Sequence, residues 1–144
     1  MARLLLATVT IILGLLTAEI LGPPMATAQS GPSALGATGT FWVGQHVELE
    51  VTAEGATLEF DCASGTITKP VQLDAQGNFK ITGTFIREHP GPVMRDGPPP
   101  APATYTGSIQ NGTMKVSIAS GPQNESQGEY VLVQGKPGRV MKCR

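Results

Sequence analysis

The feature that most constrains the fold is the segment of residues 77–87, GNFKITGTFIR. Its apolar side chains Phe79, Ile81 and Phe85 fall on one parity, with Gly83 between them, and polar side chains fall on the other. Successive side chains of a strand point to opposite faces, so this alternation predicts a half-buried β-strand. A strand of this length needs partners on both sides, and similar patterns recur along the chain.

These recurring patterns predict an all-β fold. Short connections make sequence neighbours pair, so we expect a single antiparallel meander of about eight strands. Residues 44–45 mark a bulge or bend within the first strand, and Asn111-Gly112 is a strong hairpin signal. The predicted strands are 40–52, 57–62, 66–71, 77–87, 103–110, 113–119, 128–134 and 139–143.

A glycine-containing tetrapeptide accompanies several of these strands. It occurs at residues 38–41, 64–67, 82–85 and 106–109, with a looser copy at 127–130. We interpret the glycine as relief of crowding where strongly coiled strands cross the interior. The alternative is that Thr-Gly pairs are simply common in a β protein rich in both residues.

The N-terminus has the pattern of a secretory signal peptide. Arg3 precedes an apolar run over residues 4–16, and residues 26–28 fit a small-x-small cleavage site. An uncleaved membrane anchor is the alternative, and Glu19 within the apolar region disfavours it. We therefore predict a secreted or periplasmic protein without stable membrane insertion after cleavage. The predicted segments are a signal peptide (1–28), a disordered lead-in (29–37) and a β-barrel domain (38–144).

The two cysteines, Cys62 and Cys143, should form a disulfide in an exported chain. A zinc site is a poorer interpretation, because only His46 and His89 could complete it. The predicted strands that end in these cysteines run in the same direction, which places both at one edge, as a disulfide requires. A meander tied from last strand to first is a closed or nearly closed barrel, and a two-sheet β-sandwich is the alternative.

The same strand directions sort the loops. The long proline-rich segment 88–102 falls at one end together with the disulfide and the loop 120–126. Function on β scaffolds usually resides in long loops, so we predict a ligand- or partner-binding site there, with a solvated cover as the alternative. The candidate residues are Arg87, Glu88, His89, Val93, Met94, Arg95 and Asp96, with Trp42 as a further candidate that could instead plug a barrel end.

Composition and motifs indicate binding rather than catalysis. The net charge is −1 with no run of either sign, which argues against nucleic acid and anionic membrane surfaces as partners. No phosphate-binding or metal-binding motif is present, and His89 has no nucleophile beside it in sequence. We predict no catalytic residue, cofactor or metal, and expect a non-catalytic module that binds a small apolar ligand or a protein partner. A protease-type hydrolase inhibitor that uses segment 88–102 is the alternative, and an enzyme that uses His89 is a further one.

Three glycine-aromatic segments, 39–42 (GTFW), 83–85 (GTF) and 105–107 (YTG), make the chain similar to calycin-type barrels of the avidin and lipocalin kind. The resemblance implies a small antiparallel barrel. Biotin-binding members surround their ligand with several tryptophans, and the single Trp42 departs from that pattern, so biotin binding is not expected. The pairs Asp61-Cys62 and Lys142-Cys143 also resemble those of uncharacterised small secreted bacterial proteins, which implies no activity.

Overall fold

A computed structural model describes residues 34–91 and 96–143. The predicted signal peptide (1–28) and the candidate site residues Val93, Met94 and Arg95 lie outside the described residues. The strands form one closed antiparallel barrel in sequence order, which confirms the predicted all-β meander of eight strands. The strands are β1 (Phe41–Gly44), β2 (Val47–Val51), β3 (Ala56–Phe60), β4 (Ala63–Ile67), β5 (Asn78–Arg87), β6 (Ala101–Gln110), β7 (Thr113–Ser120) and β8 (Glu125–Gly135).

Strand length divides the barrel into two halves. Strands β1 to β4 contain four or five residues each and form the short-strand half. Strands β5 to β8 contain eight to eleven residues each and form the long-strand half. The predicted organising strand, 77–87, is β5, the first strand of the long-strand half.

Hydrogen-bonded pairing of β1 with β8 closes the barrel, from Phe41↔Gly135 to Gly44↔Leu132. The prediction that the disulfide and a last strand at 139–143 close it is therefore wrong. Residues 139–143 form no strand, because β1 already pairs with β8 on one edge and with β2 on the other. The disulfide between Cys62 and Cys143 is confirmed, with a Cα–Cα distance of 5.0 Å.

Two predicted strand boundaries also need correction. The predicted strand 40–52 is two strands, β1 and β2, joined by a turn at Gln45-His46 in which His46 has a φ of 62°. The predicted strand 66–71 begins earlier, as β4, and the chain leaves the sheet after Ile67. The splitting of one strand and the loss of another leave the strand count at eight.

The two ends of the barrel differ in their connections, as predicted. One end, here the loop end, carries the turns at 45–46 and 61–62, the described residues 88–91 and 96–100 of the β5–β6 connection, and the turn 121–124. The opposite end, here the turn end, carries 52–55, 68–77, 111–112 and the exit of β8. From the turn end, residues 136–143, which we name the strap, return to the disulfide at the loop end.

The first described residues close the turn end of the barrel. Ala34 bridges to Gln72, and Leu35 is only 4% exposed. The Trp42 indole Nε1 donates a hydrogen bond to the Leu35 carbonyl at 3.3 Å. The prediction of a disordered lead-in is therefore wrong for residues 34–37, because Leu35 has an apolar site to fill above Trp42.

Inward glycines allow the interior to pack around Tyr105. A Cβ on Gly65 would lie 2.3 Å from the Tyr105 hydroxyl oxygen, and a Cβ on Gly83 would lie 2.3 Å from the Thr66 carbonyl oxygen. A Cβ on Gly107 would meet a backbone oxygen equally closely. The interpretation of the recurring glycine as relief of crowding is confirmed at these three copies of the tetrapeptide.

Candidate functional site

A polar bond spans the mouth of the barrel at the loop end. The Arg87 guanidinium, at the end of β5, donates to the side-chain oxygen of Gln127 on β8 at 2.5 Å. The rings of Phe60 and Tyr130 lie 5.0 Å apart and those of Phe60 and Phe85 lie 5.8 Å apart, so this end also holds an aromatic cluster. The mouth that the sequence predicts as a binding site is therefore bridged by a hydrogen bond and backed by packed rings.

The other predicted site residues are dispersed. The Glu88 amide donates to the Cys62 carbonyl at 2.9 Å, and its carboxylate accepts from Lys142 at 3.4 Å. His89 and Asp96 are exposed. Trp42 is 5% exposed and lies at the turn end. The structure thus places Arg87 and Glu88 at the rim of the loop end. Trp42 lies inside the barrel at the opposite end, which agrees with the alternative interpretation that it plugs a barrel end.

The histidine that contacts a carboxylate within the described residues is His46, not His89. His46 lies in the β1–β2 turn, and its Nδ1 contacts a carboxylate oxygen of Asp61. Both groups are beside the disulfide on the outer surface, where Asp61 also accepts from the Met141 amide. Asp61 thus links the β1–β2 turn, through His46, with the strap, through Met141.

The interior of the barrel is a packed core. The Tyr105 hydroxyl donates to the Thr84 carbonyl oxygen at 2.6 Å, and burial raises the pKa of the Tyr105 phenol above its ordinary value. The largest fully buried side chains are Tyr105, Leu49, Leu58, Met114, Ile118, Leu132, Val47 and Val116. Filling of this kind is what small barrels of eight strands accommodate.

A concave surface is present on the outside of the long-strand half, and we name it the outer groove. Its volume is about 1000 Å³. Strand register arranges its floor as two rows of outward side chains that cross β5, β6, β7 and β8. The rows are Lys80, Thr106, Ser117 and Glu129, and beside it Asn78, Ser108, Lys115 and Val131. Residues 72–74 complete the lining at the turn end.

The two carboxylates of the outer groove, Asp74 and Glu129, accept hydrogen bonds from neighbouring residues. Asp74 accepts from the Asn78 amide at 2.8 Å, from the Asn78 side chain at 3.1 Å and from the Gln76 amide at 2.9 Å. Those bonds, the Asn78 amide first, hold the pKa of Asp74 below its ordinary value. Glu129 accepts from the Ser117 hydroxyl at 3.3 Å. The described ion pairs include neither Lys80 nor Lys115, so the groove presents two ammonium groups that can contact a partner carboxylate, beside the two carboxylates of Asp74 and Glu129.

Exposed apolar side chains continue the outer groove toward β1. Val131 is 56% exposed and Val133 is 52% exposed, and both point outward from β8. Val133 is opposite Val43 in the β1–β8 register. We name Val131, Val133 and Val43 the valine strip. β-Branched apolar side chains on the solvent face of a strand have no role in the core, and here they adjoin a groove.

Sequence reasoning missed the outer groove, although part of its signal was present. The outward parity of Lys80, Thr106 and Lys115 follows directly from the strand pattern. Val131 and Val133 belong to an apolar run whose two faces the pattern did not distinguish. The curvature of four long strands and the placement of residues 72–74 at the groove wall depend on tertiary structure.

Two further sources of information, metal-ligating side chains and similarity to known proteins, do not identify another site. Residues 34–91 and 96–143 contain no cluster of three or more histidine, cysteine or acidic side chains placed to hold a metal ion. The same described residues contain no helix long and apolar enough to cross a membrane. Comparison of the chain with protein families, with curated proteins and with solved structures finds no match.

Proposed function

We propose that this protein is a secreted or periplasmic, non-catalytic binding module whose protein partner docks on the outer groove and the adjoining valine strip. The observation that carries the proposal is the continuity of a groove of about 1000 Å³ with outward valines that are more than half exposed. The Cys62–Cys143 disulfide is consistent with an oxidising, extracytoplasmic location.

The packed interior favours an outer surface over a cavity. Small apolar ligands of barrels bind in the lumen, and here the lumen is filled by Tyr105, Leu58, Met114 and other core side chains. On the outside, the hydroxyls of Thr106 and Ser108 line the same groove as the exposed Val131. A surface that combines polar groups with exposed apolar side chains matches a protein partner better than it matches a small apolar ligand.

The charges of the outer groove indicate the partner's character. Lys80 and Lys115 are on β5 and β7, with Thr106 and Ser108 of β6 between them. Two strand spacings separate β5 from β7, so the ammonium groups can contact an acidic segment of roughly 10 Å or more. A partner with an acidic loop and an apolar patch would satisfy both the lysines and the valine strip.

Charge reversal tests this proposal. Native mass spectrometry of the exported protein, purified from its own source, identifies the retained partner, and titration then gives its affinity. Lys80→Glu/Lys115→Glu should weaken binding by about tenfold or more, since two favourable charge contacts become repulsive. The matched control is Lys69→Glu/Lys136→Glu, which makes the same charge change at exposed positions outside the groove lining.

The two double variants separate the possible outcomes. Weakened binding in the groove variant together with unchanged binding in the control supports the proposal. Equal affinities in the two variants would contradict it, because the effect would then come from net charge rather than from the groove. The predicted alternatives, a hydrolase inhibitor that uses segment 88–102 and an enzyme that uses His89, stay predictions.

A further inference from the structure

The strap contacts the short-strand half through a series of specific bonds. The Gly138 amide donates to the Glu48 carboxylate. The Met141 amide donates to the Asp61 side chain at 3.1 Å, and the Cys143 amide donates to the Asp61 carbonyl at 2.8 Å. The strap therefore follows the outer faces of β2 and β3 from the turn end to the loop end.

The strap also compensates an unfavourable charge arrangement. Glu48 and Glu59 are directly opposite each other in the β2–β3 register, and like charges at such positions destabilise a sheet. The strap amide of Gly138 satisfies Glu48, and the Lys142 ammonium contacts Glu59 and, at 3.4 Å, Glu88. The strap thus gives each of the opposed carboxylates a partner while it is in place: a backbone amide for Glu48 and an ammonium group for Glu59.

None of these contacts is part of the barrel core. Met141 is 75% exposed, and residues 136–139 are all exposed. Closure of the barrel depends on β1–β8 pairing and does not involve the strap. Departure of the strap would therefore leave both the core and the closed sheet in place.

The covalent lock of the strap is open to solvent. Cys62 is in the exposed turn between β3 and β4, and Cys143 is half-buried near the end of the chain. Exchange requires a thiolate to reach one of the two sulfurs, so exposed disulfides are the ones that take part in regulation. Reduction of this disulfide would therefore free a peripheral segment, whereas reduction of a disulfide buried in the core would disturb the packing of the core.

We propose that the strap is a redox-controlled cover, closed by the Cys62–Cys143 disulfide and released by a dithiol reductant. A reductant thiolate attacks one cysteine sulfur, the S–S bond breaks, and the other cysteine leaves as a thiolate that takes a proton from water. The second reductant thiol then displaces the first cysteine. Two cysteine thiols and an oxidised reductant result, with two electrons transferred.

Release changes a defined part of the surface. The carboxylates of Glu48 and Glu59 become free, and Glu88, at the start of the β5–β6 connection, loses its contact with Lys142. Release also uncovers one end of the valine strip, because a Cβ on Gly138 would lie only 3.2 Å from Val43 Cγ1. The outer groove is on the other half of the barrel and does not change. The test of the strap uses no partner, so its outcome is distinct from that of the proposed binding function.

Nuclear magnetic resonance of the mature protein, oxidised and after reduction with dithiothreitol, tests this proposal. Reduction should lower backbone order parameters of residues 136–143 below about 0.6, while β5 to β8 stay near about 0.85. Chemical shifts should change at Glu48, Glu59 and Glu88 but not at Lys80 or Lys115. Cys62→Ser/Cys143→Ser without reductant should give the same spectrum as the reduced protein.

Two results would overturn the proposal. If the strap keeps its order parameters after reduction, its noncovalent contacts hold it and no switch exists. If the dispersed signals of β5 to β8 collapse together with those of the strap, the disulfide is a staple of the whole barrel. The serine double variant distinguishes either result from incomplete reduction.

Discussion

The two halves of the barrel are both built from antiparallel strands, but their outer surfaces differ. The short-strand half carries its acidic groups outward, with Glu48 and Glu59 directly opposed, and covers them with the strap. The long-strand half leaves its outer face uncovered, with Lys80 and Lys115 exposed in a groove. Both halves share one packed core, so the difference is confined to the outer surface and to strand length. It indicates that one half is closed by the chain itself and that the other is left available to a partner.

The largest effect should come from removing the link between the strap and the short-strand half. The disulfide joins residues 81 positions apart. Cys62→Ser/Cys143→Ser should lower the free energy of unfolding by roughly 4 kcal/mol in the chain-entropy model, because the unfolded chain gains freedom. Urea denaturation of the variant and of the parent protein measures the difference. A near-ultraviolet circular dichroism spectrum that stays native before denaturation locates the loss in the unfolded state, and a collapsed spectrum would contradict the peripheral role of the strap.

The seam between β8 and β1 should be nearly as sensitive. Leu132 is fully buried opposite Gly44, whereas its neighbour Val133 is 52% exposed. Leu132→Ala should destabilise the fold by about 2–5 kcal/mol through lost burial and a residual cavity. Val133→Ala should cost at most about 0.5 kcal/mol, as surface substitutions usually do. Equal losses in thermal or urea unfolding would mean that the inward and outward faces of β8 are assigned incorrectly.

Inside the barrel, Gly65 of β4 leaves room for the Tyr105 hydroxyl of β6. Gly65→Ala would place a Cβ 2.3 Å from the Tyr105 hydroxyl oxygen and should cost about 1–3 kcal/mol by overpacking. Tyr105→Phe removes that oxygen, so it should destabilise less in the Gly65→Ala background than alone. A double-mutant cycle in urea measures the coupling, and additive losses would show that Gly65 and Tyr105 do not contact each other.

The smallest expected effect is the acid response of the groove wall. Bonds from the Asn78 amide and side chain hold the pKa of Asp74 below its ordinary value, so the native state favours the carboxylate. That stability is present above the pKa of the unfolded chain and is lost as pH falls through the native pKa. Asp74→Asn should therefore make the decrease in melting temperature below about pH 4 shallower. An acid limb identical to that of the parent protein would contradict this assignment.

Side-chain parity predicted the barrel because burial on one face is encoded residue by residue. Phe79 and Phe85 face the core as their alternation indicates. The sequence also contains a signature of the β1–β2 turn. The buried residue of β1 is the even-numbered Trp42, whereas the buried residues of β2 have odd numbers from Val47, and this switch requires a chain reversal or an irregularity between them. A continuous strand with a bend at Gly44-Gln45 explains the same switch, and only pairing distinguishes the two.

The candidate site was less predictable because it depends on distant segments. The binding site was predicted at the loop end because the long proline-rich loop is there. In the structure, a hydrogen bond between Arg87 and Gln127 spans the mouth at that end. The outer groove combines residues 72–74 with outward positions of β5 to β8, which only the curvature of the long strands brings together. Parity gives the direction of each side chain and leaves the shape of the sheet open.

Site-specific photo-crosslinking tests the division between the two halves most directly. A photoreactive side chain is placed at Ser108 in the outer groove or at Thr57 on the outer face of β3, two strand positions that are both half-exposed. With the partner identified by native mass spectrometry, we predict crosslinks from position 108 and none from position 57. Crosslinks from position 57 as abundant as those from position 108 would contradict the assignment of the long-strand half as the binding surface.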